Sequence, residues 1–172
     1  MSIVALDIAT DTGVACWMAG TATPIFSTLR LPSDPYEVGR PMAKLRQQLD
    51  DLHAMDAITH LFFEASILPG ATNINTVRKL CALAGLAELF AHDHKIKCRE
   101  VEQQRWRKHF IGKGNGPSKE LKRLAVEACH LRGWRVRTDH EADALGVLDY
   151  GLACFKISPP WRDAHLMGGA AK

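Results

Sequence analysis

A chain of 172 residues, 47% apolar and 24% charged with a net charge of +3, has the size and composition of one globular domain. No apolar run approaches the roughly 20 residues that cross a bilayer, which excludes a membrane-spanning helix. The opening Met-Ser-Ile-Val-Ala-Leu-Asp lacks the pattern of a signal peptide, and five scattered cysteines without a CxxC pair suggest neither a zinc site nor a disulfide framework, so a cytoplasmic protein is expected.

Residues 3–8 form a short apolar run, as in a buried strand, with Asp7 near its end. The turn Thr10-Asp11-Thr12-Gly13 follows, and 14–18 and 25–31 read as two further strands of a β-meander. Val38, Met42, Leu45, Leu49 and Leu52 recur at helical spacing, which predicts a helix over 36–55. Residues 60–64 form a fourth strand, again ending in an acid, Glu64. The spacing predicts a second helix over 74–92, apolar on much of its surface, and then a fifth strand over 97–101. A basic stretch over 103–123 carries the glycine-rich loop 112–119, and helices are expected over 118–131 and 140–155. Pro159-Pro160 and a Gly-Gly-Ala-Ala-Lys ending predict a flexible tail over 158–172. No internal repeat or second domain is visible. Three meander strands followed by alternating helices and strands imply one mixed sheet with helices on its faces, the order of an RNase H-like α/β fold. The cysteines Cys16, Cys81, Cys98, Cys129 and Cys154 read as small buried residues.

Charge is unevenly distributed. Residues 95–137 hold thirteen Lys or Arg against four Asp or Glu, and the remainder holds nine against fifteen. A basic segment beside an acidic remainder suits a polyanion surface near an acidic centre; the plainer reading is a solvated face. The loop 112–119 does not fit GxxxxGK[ST], so it is not a P-loop. Its glycines and lysines, preceded by Trp106-Arg107-Lys108, favour contact with a phosphate backbone, with Trp106 as a packing residue.

Asp7 and Glu64 each end an apolar strand, and in an open sheet sites form at strand ends. Each alone could cap a turn or pair with an arginine. In Asp139-His140-Glu141-Ala142-Asp143, a helix starting here puts His140 and Asp143 on one face, while Asp139 and Glu141 could be capping charges. Asp143 lies between alanines on an otherwise core-like helix and needs a partner. Oxygen ligands with one imidazole suit Mg²⁺ or Mn²⁺, and two such ions about 4 Å apart can hold the attacking and leaving oxygens of a phosphodiester. His53, His60, His92, His94 and His130 share no ligand spacing.

These pieces, in this order, resemble the RuvC-type Holliday junction resolvases over residues 3–155: the strand ending in Asp7 and the turn to Gly13; the strand ending in Glu64, with Asn73, Asn75 and Ala84-Gly85 after it; Trp106-Arg107-Lys108, Gly112-Lys113-Gly114 and Lys119; and His140-x-x-Asp143-Ala144-Leu145. The compactness is similar to that of phage-type members. The resemblance implies a nuclease domain over 1–157 that resolves Holliday junctions or other branched DNA by paired nicking in recombination and repair, leaving 5′-phosphate and 3′-hydroxyl ends. It implies Asp7, Glu64, His140 and Asp143 as catalytic metal ligands for Mg²⁺ (or Mn²⁺), two ions per site. It also implies Lys113 and Lys119 near the scissile backbone, beside Arg107 and Lys108 read as DNA contacts from the basic run before the loop, and a homodimer through helix 74–92. The chain departs from the family in carrying Ala9 and one residue less before Gly13, and in having Ile67 and Leu68 where an aromatic often follows the strand glutamate.

The competing readings are an RNase H-like nuclease acting on flaps or RNA-containing duplexes, and a non-catalytic nucleic-acid-binding module of the same fold. The four site residues argue against the second. An actin-like ATPase needs two such domains, and this chain is too short.

Overall fold

The computed structural model describes residues 1–34, 36–65 and 73–162. Its strands are β1 (Ser2–Asp7), β2 (Asp11–Met18), β3 (Ile25–Arg30), β4 (Ile58–Glu64) and β5 (Lys97–Val101). They form one sheet in the order β3-β2-β1-β4-β5. The first three strands pair antiparallel, and β1–β4 and β4–β5 pair parallel. The helices are α1 (Gly39–Met55), α2 (Ile74–Asp93), α3 (Gln103–Ile111), α4 (Ser118–Leu131) and α5 (Asp139–Cys154).

The period-2 alternation of β1 explains both layers. Ile3 and Ala5 face one cluster with Trp106 of α3, Ala125 of α4 and Leu145 and Leu148 of α5. Val4 and Leu6 face another with Leu45 and Leu49 of α1 and Leu83 and Phe90 of α2. A strand covered on both sides reads as an unbroken apolar run, as this one does. The helix α5 lies directly on the sheet and is buried nearly all round, from Glu141 through Asp149. Two glycines permit this: a Cβ at Gly146 would lie 2.5 Å from the Trp106 ring, and one at Gly151 would lie 2.4 Å from the Phe62 ring.

Several expectations are corrected. The basic stretch contains a whole helix, α3, whose inward face is Trp106, Arg107 and Phe110 and whose end is Gly112 in the left-handed region. The helix α1 starts at Gly39 rather than 36, because Pro41 fits only in a first helical turn. The strand β2 starts at Asp11 rather than 14, extended by pairing with Arg30. Cys81 is exposed, and Cys98 and Cys154 are half-buried, so only Cys16 and Cys129 are core residues. Of the expected tail, the described residues 158–162 pack against the domain. Trp161 is 6% exposed, edge-on to Trp17 and Trp134, and its Nε1 donates to buried Asp149 at 2.9 Å. His109 Nε2 lies 2.9 Å from the same carboxylate, and Arg162 pairs with it at 3.2 Å. Residues 163–172 of the expected tail lie outside the described residues. Among the described residues, no helix is long and apolar enough to cross a membrane.

Phe62 is fully buried, so Gly151→Ala has no soft neighbour to displace. We expect it to lower the unfolding free energy by about 1–3 kcal/mol, the usual cost of overpacking, read as a shift in the denaturant midpoint.

Candidate functional site

The register Leu6↔Phe63 between parallel β1 and β4 brings the next residues, Asp7 and Glu64, to the same end of adjacent strands. The first turn of α5 comes down onto this end. Asp7 pairs with Gly13 across β1 and β2, and a Cβ at Gly13 would lie 1.9 Å from the His140 carbonyl oxygen. Only a glycine lets the helix approach so closely. The approach puts His140 Nδ1 2.7 Å from Asp7 Oδ2 and turns Asp143, one helical turn on, towards the same acids.

The start of α5 is fixed by a capping arrangement. Thr138 Oγ1 accepts from the Glu141 N–H at 3.1 Å, and the Glu141 carboxylate accepts from the Arg137 N–H at 2.7 Å. Glu141 is therefore a buried capping residue. Asp139 pairs with Lys122 of α4.

Each acid meets a different environment. Glu64 accepts from Gln103 Nε2 at 2.5 Å and from Trp106 Nε1 at 2.7 Å. Burial and the nearby Asp7 charge raise its carboxyl to about 6 against those hydrogen bonds. Asp143 is pushed up to about 8 by burial and by the charges of Asp7 and Glu64, with Arg107 and Lys122 opposing. Its Oδ1 is buried with no hydrogen-bond partner among the described residues, and so is Arg107 Nε. The hydrogen bond to Asp7 raises the His140 imidazole above its ordinary value.

Arg107, expected to contact DNA, lies inside the domain. It is 6% exposed, its guanidinium lies 3.7 Å from Asp143 Oδ2, and it sits over the Trp106 ring at 5.2 Å. Gln103 and Arg107 are four positions apart on a short helix, so the turn that aims Gln103 and Trp106 at Glu64 also aims Arg107 inward. Lys108, Lys113 and Lys119 are exposed, and Lys113 pairs with Glu120 at 2.9 Å. Among the described residues, no hydrogen bond or ion pair joins these three lysines to the four site residues. Ile67 and Leu68 lie outside the described residues. Three residues were missed in the sequence. Gln103 and Trp106 follow β5 at helical spacing, which was the available signal for α3. Lys122 lies one turn beyond Lys119, and its charge acts on Asp143 and Asp7.

The arrangement is a set of hard oxygen donors and one imidazole around an unsatisfied, buried carboxylate oxygen. That donor set fits a divalent cation, which would relieve the mutual repulsion of the acids. Among the described residues, no three His, Cys, Asp or Glu side chains converge on one point as they stand: Glu64 is turned to Gln103 and Trp106, and Asp143 to Arg107.

The sheet order, the mixed pairing and the helices on both faces define an RNase H-like fold. Within that class the chain is similar to solved structures of RuvC. A structure of Thermus thermophilus RuvC matches with a TM-score of 0.64 and 14% identity over 93% of this chain and 99% of that one. T. thermophilus RuvC in complex with Holliday junction substrate matches with a TM-score of 0.65 and 14% identity over 86% of this chain and 90% of that one. The likeness at this identity is one of fold. No protein-family model and no curated protein matches the sequence.

A carboxyl raised to about 8 gives the folded state the tighter hold on its proton. That contribution to stability is present at low pH and is lost as pH rises from the ordinary value of 3.8 through about 8. In metal-free buffer, Asp143→Asn should therefore flatten the fall in stability across this window, by an amount on the order of a few kcal/mol. Thermal or urea unfolding at a series of pH values reads the effect; parallel curves for variant and wild type would contradict it.

Proposed function

We propose that this chain is a metal-dependent endonuclease that cuts branched DNA, four-way junctions foremost, by paired nicks that leave 5′-phosphate and 3′-hydroxyl ends. The observation that carries the reading is Asp143. It is a buried carboxylate with one oxygen that has no hydrogen-bond partner among the described residues, presented by a core helix to two strand-end acids, one of which holds His140. A purely structural role would leave that oxygen satisfied. The shared fold with a RuvC solved on a Holliday junction and the exposed Lys108, Lys113 and Lys119 support a branched-DNA substrate.

In this reading Asp7, Glu64, His140 and Asp143 hold Mg²⁺ or Mn²⁺. When bound, a pair of such ions supplies an activated water and offsets charge on the departing 3′-oxygen. The chain's own groups prepare the site. Asp7 orients the His140 ring through Nδ1. Gln103 and Trp106 fix the Glu64 carboxylate in one rotamer. Arg107 offsets part of the Asp143 charge inside the domain. Lys122, tethered to Asp139, keeps a cation at the rim. Lys108, Lys113 and Lys119 bind the phosphate backbone from α3, the loop beyond it and the first turn of α4.

Two symmetric nicks require two sites, which a homodimer supplies with the junction's own symmetry. We assign the interface to the outward face of α2. Leu83 and Leu86 belong to the core, so the opposite stripe is the available one: Ile74 (74% exposed), Cys81, Gly85 and Leu89 (53% exposed). These residues share a helical face, and the space around Gly85 is open to a close neighbour.

The direct test is a labelled synthetic four-way junction incubated with and without Mg²⁺. Wild type should give paired nicks only with the metal. Asp143→Asn should cut roughly 10²-fold slower or worse while still binding the junction. Normal turnover by that variant would remove the proposed site, and preference for flaps or RNA-containing duplexes would change the substrate. For assembly, Ile74→Asp with Leu89→Asp should give folded monomers by light scattering, whereas Leu83→Asp should unfold the domain. A wild-type chain that stays monomeric with junction present would rule out paired nicking.

A further inference from the structure

A second cationic feature lies beside the acidic site. A cavity of about 500 Å³ opens between β3 and the loop that leads into α5. Phe26 and Thr28 form its strand wall, Arg135, Arg137 and Thr138 its loop wall, and Glu141 its floor. Both arginines are exposed, and among the described residues neither guanidinium makes an ion pair or a hydrogen bond. The one acid in the wall, Glu141, is buried and committed to the Arg137 N–H. The hydroxyls of Thr28 and Thr138 lie 2.7 Å apart and tie the loop to the sheet. The loop is therefore held in place while its two arginine side chains have no partner among the described residues.

The position of the cavity gives it a purpose. Asp7 pairs with Gly13, and Gly13 pairs with Thr28, so the three residues form one row across β1, β2 and β3. Two strand spacings, roughly 10 Å, separate the backbone at Asp7 from the backbone at Thr28. The first turn of α5 lies across the middle of that row at Gly13, with His140 turned to Asp7 and Glu141 to the cavity. At about 3.4 Å of rise per nucleotide along one strand, this distance is about three nucleotides.

Resting on the nuclease reading above, we propose that the cavity binds the DNA backbone a few nucleotides from the cut, with Arg135 and Arg137 on successive phosphates and the half-buried Phe26 against a sugar or base. Arginine suits this role, since its planar fork takes a phosphate through two parallel hydrogen bonds. Such a clamp on the β3 side of the acidic site lies apart from the α3–α4 lysines. A strand held on both sides of the scissile phosphate is fixed in direction as well as in place.

The test is the salt dependence of binding to a four-way junction, without added divalent metal, for the wild type and three variants. Each neutralised duplex phosphate contributes about 0.9 to the slope of log affinity against log salt. The Arg135→Ala/Arg137→Ala variant should lose roughly 1.5–2 from that slope. Arg135→Lys/Arg137→Lys should keep most of it. Lys97→Ala/Arg99→Ala, which removes equal charge from β5 at the other edge of the sheet, should leave it unchanged. A normal slope in the Arg135→Ala/Arg137→Ala variant, or an equal loss in the β5 variant, overturns the proposal and leaves the nuclease reading standing. A wild-type chain that binds no DNA overturns both.

Discussion

The repulsion among Asp7, Glu64 and Asp143 in a poorly hydrated corner is the constraint around which the rest of the molecule is arranged. Taking a single carboxylate out of water costs several kcal/mol, and three together compound the cost. The surroundings reduce it piece by piece. Trp106 and Gln103 hydrogen-bond Glu64, His140 binds Asp7, and Arg107 lies against Asp143. None of these removes the conflict, since Glu64 and Asp143 both remain weaker acids than usual. The corner is held by packing elsewhere. The helix α5 is buried along most of its length, and its glycines let it sit against Phe62 and Trp106 without a gap. Stability in the core offsets strain at the site, a common division in proteins whose sites carry chemistry.

The basic segment divides into two populations with different work. Arg107 turns inward to the acids, and Arg132 stacks on Phe110 and caps the end of α4 through the Ala128 carbonyl. These cations serve the fold. Lys108, Lys113, Lys119, Arg135 and Arg137 remain exposed. The surplus of charge that marks the segment in the sequence thus overstates its external share, because a cation count does not distinguish a side chain that neutralises a buried acid from one that faces solvent.

Much of the fold was legible because its signals are local. The runs at 3–8 and 60–64 and the leucine spacing in α1 come from period-2 and period-3.6 burial, which a sequence displays directly. The acids were legible for the same reason: Asp7 and Glu64 interrupt apolar strands, and Asp143 interrupts an apolar helix. What was hidden depends on tertiary partners. The charge of α3 masks its inward face, so Arg107 looked like a surface residue until Asp143 was placed opposite it. Pro159-Pro160 marks a break in regular structure, and the burial of Trp161 against Trp17 and Trp134 depends on two residues distant in sequence. The helix α2 reads as apolar on much of its surface, and only its contacts separate the core positions Leu83 and Leu86 from the outward Ile74 and Leu89.

The central claim is that the conflict among the carboxylates exists to hold divalent cations. Calorimetric titration of Mn²⁺ into the wild-type chain at neutral pH tests it most directly. The account predicts saturable binding that is lost in Asp143→Asn and in Asp7→Asn while both variants stay folded. Absence of binding to the wild type, or binding that both variants retain unchanged, would contradict it.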